Sequence, residues 1–101
     1  MCFYSCLLLG CLGLEDGALK ETVEDQTAKA LENMAAILEA GGSSMAKVCK
    51  VTCLMNDMGD FAKMNGVYAT FFPENPPARA AFAVKTLPLN ALVEIEAVAL
   101  V

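Results

Sequence analysis

Between Thr22 and Asn56 the spacing of apolar residues switches from helical to alternating, which restricts the chain to folds in which a helix hands over to a strand. In the first half Thr27, Leu31, Met34, Ile37 and Leu38 recur at helical spacing, while Lys29, Glu32 and Glu39 point elsewhere. Thr22 stands at a capping position with Asp25 three residues on, and Gly41-Gly42 stops the run. A helix is predicted over 22–40, serving core packing and no chemistry. Beyond the glycines, Cys49, Val51, Cys53 and Met55 alternate with Val48, Lys50, Thr52 and Leu54. That predicts a strand over 47–56 with its cysteine face on the core.

The same alternation of elements then repeats. Asp57-Met58-Gly59-Asp60 opens a second helix whose buried stripe is Phe61, Met64, Tyr68 and Phe71, and Pro73 ends it. Asn65 and Tyr68 are polar groups on or near that stripe. Either could reach a pocket, and core packing is the better reading. Residues 79–85 and 92–101 read as two further strands, joined by a loop with Pro88 and Asn90. At the start, residues 1–14 are apolar. A secretory signal is the alternative there, but no basic residue precedes the apolar stretch, so a buried strand fits better, followed by a turn at Glu15-Asp16-Gly17. The order strand, helix, strand, helix, strand, strand describes one α+β domain over 1–101, with both helices on one face of a mixed sheet.

The uncovered sheet face then needs an occupant. A hydrophobic fraction of 56% and a mean hydropathy of +0.50 exceed what a soluble monomer usually carries. No apolar run approaches the ~20 residues of a membrane helix. The excess is therefore expected in an interface between copies of the chain, with no membrane partner. The net charge of −5 and scattered cations argue against a nucleic-acid partner, which needs clustered Lys and Arg.

The five cysteines are an odd count without a disulfide pattern, which fits a reducing compartment, cytoplasmic or mitochondrial. With no histidine, Ser-His and Cys-His couples are excluded. Cys49 and Cys53 on one strand face would lie about 13 Å apart, too far to share a metal ion. No metal and no cofactor is expected.

Two residue types remain that can carry chemistry. Arg79 is the only arginine, set where Pro76-Pro77 opens an apolar run. Its backbone is expected to be extended and rigid, and a fixed guanidinium suits two-point recognition of a carboxylate, as lysine does not. In the last strand Glu94 and Glu96 share a face with Leu92, Val98 and Leu100. A carboxylate among apolar residues is costly unless it meets a partner or ligand. The Glu94 strand is expected to pair with or lie beside the Arg79 strand.

Several segments, in order, resemble the RidA/YjgF family of reactive-intermediate imine deaminases. They are Gly10-Cys11-Leu12-Gly13-Leu14, Gln26-Thr27-Ala28-Lys29-Ala30-Leu31-Glu32-Asn33 and Asn56-Asp57-Met58-Gly59-Asp60-Phe61. Asn65-Gly66-Val67-Tyr68, Phe71-Phe72, Pro77-Ala78-Arg79-Ala80-Ala81 and Val93-Glu94-Ile95-Glu96-Ala97-Val98-Ala99 follow. The resemblance implies a chorismate-mutase-like α+β subunit in a homotrimer with ligand sites between subunits. It further implies hydrolysis of 2-imino acids to 2-oxo acids and ammonia, without cofactor. On that resemblance Arg79 binds the substrate carboxylate, Glu94 holds the attacking water, and the backbone at Gly10 lines the site. Leu9 (serine in most members), Ala81 (cysteine in some bacterial ones) and Asn65 complete the substrate-binding set.

The family's usual first strand, with a Gly-Pro-Tyr-Ser segment whose tyrosine contacts the ligand, has no counterpart here, since Tyr4 lies in a different context. Two alternatives accompany the hydrolase. One is a non-catalytic trimeric binder of small carboxylates. The other is a ribonuclease or translation inhibitor, as some relatives are described.

Overall fold

The computed structural model describes residues 5–101. Its strands are β1 (Cys6–Leu12), β2 (Leu14–Glu15), β3 (Ala18–Leu19), β4 (Val48–Met55), β5 (Ala78–Ala83) and β6 (Val93–Leu100). Its long helices are α1 (Val23–Ala40) and α2 (Phe61–Phe71), and short 3-10 turns precede β4, α2 and β6. Four strands form one sheet in the order β1-β6-β4-β5, with β6 antiparallel to both neighbours and β4 parallel to β5. Both helices pack on one face, as the order of elements predicted. The expected first strand begins at Cys6, and its opening residues 1–4 lie outside the described part.

Local signals account for most boundaries. The Thr22 hydroxyl accepts the Asp25 backbone N–H at 3.1 Å, closing the start of α1. At the other end Gly42 adopts φ +81°, a conformation that costs other residues strain. The Asp16-Gly17 pair, both at positive φ, makes the tight turn joining β2 to β3. The core between the layers is filled by Leu31, Met34 and Leu38 of α1, Met64 of α2, and Val51, Cys53, Met55, Val93 and Ile95 of the sheet.

Two packing expectations need correction. Cys49 does not share the core face with Val51 and Cys53. A β-bulge shifts the β4–β6 register between Val48 and Lys50, so Val48 turns inward and Cys49 outward. Ile37, expected in the helix stripe, is 49% exposed. It shares a side of α1 with Gln26, and only the start of the helix is covered on that side.

Gln26 supplies that cover. It is 3% exposed, its side-chain amide donates to the Lys20 carbonyl at 2.8 Å, and its oxygen accepts the Leu92 N–H at 2.8 Å. One amide thus joins the entry to α1 and the entry to β6. Nearby, Asn33 donates to the carbonyls of Leu12 and Leu14, fixing the end of β1 against the helix. Gly13 permits this contact, because a Cβ there would lie 2.5 Å from the Gln26 backbone.

Candidate functional site

Strand order decides where the sequence-predicted site residues fall. β5 and β6 do not pair, because β4 runs between them. Arg79 lies level with Val51 and Ala97, whereas Glu94 lies level with Leu54 and Phe82. Two strand spacings and a three-residue offset put their Cα atoms about 14 Å apart. They also occupy opposite faces: Arg79 shares the helix face with buried Val51, and Glu94 shares the open face with half-buried Leu54. The expectation of neighbouring strands is therefore corrected. One subunit alone does not bring this guanidinium and this carboxylate together.

Instead the predicted residues sort into two groups. On the helix face the Arg79 guanidinium donates through Nη1 to Asn65 Oδ1 at 2.6 Å. Its central carbon lies 4.6 Å from the centre of the Tyr68 ring and 5.4 Å from that of Phe61. Ala81, two residues further along β5, is half-buried against the core beside Cys53. Together with Ala69, Phe72, Pro76 and Pro77, the residues Asn65, Tyr68 and Arg79 line a cleft of about 400 Å³. Arg79 is the second residue of β5, which directly follows the proline pair, so its backbone is extended as the sequence suggested.

The second group lies on the open face. Glu94 is half-buried there beside Gly10 on the adjoining strand, where a Cβ would come within 3.3 Å of the Glu94 Oε1. Glu96 is the next acid along, level with Gly10 and Thr52. Leu9, although adjacent to Gly10, turns its side chain to the core side of β1. Among the described residues no ion pair involves Arg79, Glu94 or Glu96.

Arg79 itself is exposed, but the side chains beneath it are dry. Tyr68 is 5% exposed and its hydroxyl is buried without a hydrogen-bond partner. Burial pushes the phenol up to about 12, with nearby Cys53 adding to the rise and the Arg79 charge opposing it. Burial likewise pushes the Cys53 thiol up to about 11, again opposed by Arg79. Cys53 is therefore a protonated, inert thiol at neutral pH and no nucleophile. At the core side of β1, burial first and the Glu94 charge second raise the Cys11 thiol.

Sequence reading assigned Phe61 and Tyr68 to the core and missed their contact with Arg79. A usable signal existed. Phe61, Asn65 and Tyr68 fall at i, i+4 and i+7, a single stripe of α2 that mixes two rings with one amide, and Phe72 follows directly after the helix.

Comparison with known proteins agrees with this architecture. A family model described as Endoribonuclease L-PSP matches residues 7–101. A RutC family protein of Pyrococcus horikoshii is 54% identical over 81 residues, covering 80% of this chain and 64% of the relative. Reactive Intermediate Deaminase A of Arabidopsis thaliana is 46% identical, over 91% of this chain and 51% of its own length. The rat 2-iminobutanoate/2-iminopropanoate deaminase is 43% identical over 76% of this chain and 56% of the relative. The chain thus spans between about half and two-thirds of these relatives.

Among solved structures, a putative endoribonuclease of Thermotoga maritima superposes with a TM-score of 0.90 at 41% identity, over 95% of this chain and 79% of that one. E. coli TdcF with bound serine gives 0.90 at 34% identity, over 96% and 81%.

Proposed function

The chain belongs to the RidA/YjgF family, whose family model carries the Endoribonuclease L-PSP description, and from that footing we propose that it hydrolyses small 2-imino acids to 2-oxo acids and ammonia in sites shared between identical subunits. The observation that carries this reading is the state of Arg79. Its guanidinium is seated on two rings, bound to Asn65 on one edge, and among the described residues paired with no carboxylate. A cation prepared in that way, at the mouth of a cleft sized for a small acid, suits a substrate carboxylate. Relatives named as a reactive intermediate deaminase and a 2-iminobutanoate/2-iminopropanoate deaminase, and a related structure solved with bound serine, support a ligand of that size and charge.

On this reading, the split between the two groups calls for identical subunits. The Arg79 group of one subunit would be completed by the Glu94–Gly10 group of the next, in a trimer closed through the apolar open face. Leu8, Phe82 and Leu100 there are 76%, 48% and 40% exposed. In such a site the guanidinium would hold the carboxylate by bonds worth about 1.5–3 kcal/mol each. Glu94 would orient water toward C2 of the protonated imine and take its proton as the C–O bond forms. The same proton then passes to nitrogen. As the C–N bond breaks, the hydroxyl gives its proton to the freed Glu94 carboxylate and becomes the carbonyl. The ammonia that leaves carries that proton away as ammonium. Positioned base catalysis of this kind contributes typically ~10²–10⁴-fold.

Subunit complementation tests both parts. Arg79→Ala and Glu94→Gln are each expected to lose acceleration of 2-iminobutanoate hydrolysis, with the imine generated in situ by a threonine dehydratase. Mixing the two variants after subunit exchange should restore about one quarter of the wild-type rate, the share of interfaces that draw both intact residues from different subunits. No restoration overturns the shared site. Wild-type protein that binds 2-oxobutanoate without accelerating hydrolysis reduces the reading to a carboxylate binder.

A further inference from the structure

We infer that Tyr68 is a positioning residue: its ring, with Phe61 and the Asn65 amide one turn away on the same stripe of α2, sets the plane of the Arg79 guanidinium and leaves one edge free for a carboxylate. The inference rests on the reading of Arg79 as the carboxylate grip and adds the device that holds the grip in place. A guanidinium is planar. It donates hydrogen bonds from its edges and stacks through its faces. Asn65 occupies one donor at 2.6 Å, and the ring centres at 4.6 and 5.4 Å lie within the ~6 Å reach of cation–π attraction. With a face against aromatic carbon and one edge on the amide, the remaining donors are the ones available to a ligand.

Placement in the fold makes the platform stiff where the arginine is not. Arg79 stands on β5, the outermost strand of the sheet, and is exposed. Left alone it would sample many rotamers and lose them on binding. Tyr68 is 5% exposed, packed against Phe72 with ring centres 4.8 Å apart and a 37° tilt. Its hydroxyl points into the protein and finds no partner, so it takes no part in the grip. The ring, and not the phenol, is therefore the working part. The same stripe places an aromatic at 61, an amide at 65 and an aromatic at 68, which an ordinary buried stripe does not require.

Because Arg79 is the only arginine, its side-chain Nε–Hε gives a single resonance in a nitrogen–proton correlation spectrum. In the wild-type protein that resonance should be displaced by ring currents and show slowed guanidinium rotation. Tyr68→Phe should keep both signatures, and Tyr68→Leu should lose them. Binding of 2-oxobutanoate, measured by calorimetry, should weaken about tenfold in Tyr68→Leu and recover in Tyr68→Phe, as expected for loss of one partly desolvated cation–π contact. In hydrolysis KM should move and kcat change little, since the grip is made before the chemistry.

A wild-type resonance at the free-arginine position, or unaltered signatures in Tyr68→Leu, overturns the inference. So does a Tyr68→Phe protein as weak as Tyr68→Leu. Displaced and slowed signals without any binding of 2-oxobutanoate would uphold the platform and sink the carboxylate reading instead. The wild-type spectrum decides the matter even if Tyr68→Leu does not fold.

Discussion

Replacing Gln26 with methionine isolates the contribution of one buried amide to the whole domain. Methionine nearly matches glutamine in length and helix propensity, so α1 keeps its shape and volume. What disappears is the pair of 2.8 Å hydrogen bonds to the Lys20 carbonyl and from the Leu92 N–H. Each orphaned backbone group costs about 1–3 kcal/mol when kept from water. Both bonds are only partly buried, so water should recover some of that loss, and the sum is expected near 2–4 kcal/mol. Against a total of roughly 5–15 kcal/mol for a domain of this kind, the change is large.

Urea unfolding followed by circular dichroism, at one fixed protein concentration, should show the midpoint falling by about 1–2 M with an unchanged slope. A loss below about 0.5 kcal/mol would refute the reasoning, because it would mean that the two loops satisfy their own backbone groups without Gln26.

Gly13→Ala should destabilise by about 1–3 kcal/mol in the same assay, since the new methyl meets rigid helix backbone at 2.5 Å rather than a mobile side chain. Leu89→Asn should stabilise by about 1 kcal/mol, because exposed Leu89 sits at φ +57°, a region asparagine tolerates far better. Alkaline titration should expose the two dry groups beside Arg79. Cys53 and Tyr68 have folded values raised from 9.0 to about 11 and from 10.0 to about 12. A raised value means that the unfolded chain loses its proton first, so this stability is complete below pH 9 and is lost as pH rises through 11 and 12. Tyr68→Phe should flatten the upper part of that fall and, by removing an unpartnered buried oxygen, should not destabilise the protein at pH 7.

How much of this was legible in the sequence depended on how local the deciding interaction was. Helix α1 could be read with its ends, because Thr22 and Gly41-Gly42 act within one turn of it. The strand at β4 could be read from alternation, but its bulge could not. Cys49 turns outward through the register with Val98 and Ala99, residues far along the chain. Gln26 looked like an unremarkable polar position because its partners lie six and sixty-six residues away.

The candidate site was half legible. Arg79 and Glu94 stood out by residue type and context. That they lie on opposite faces follows from their registers with β4, Arg79 level with Val51 and Glu94 with Leu54, and no period in either segment encodes that. The α2 stripe of Phe61, Asn65 and Tyr68 was written in the sequence, but its meaning depended on which strand it would cover.

The placement of β6 between β1 and β4 also governs how the chain can be made. During synthesis β1 and β4 emerge long before residues 93–100, and until those eight residues leave the ribosome neither strand has its central partner. From the time β4 is made until β6 follows, the nascent protein must keep two apolar strands apart, when such surfaces are open to capture or aggregation. Helix α1 can form early on the way out, but the sheet closes only in a late, long-range step.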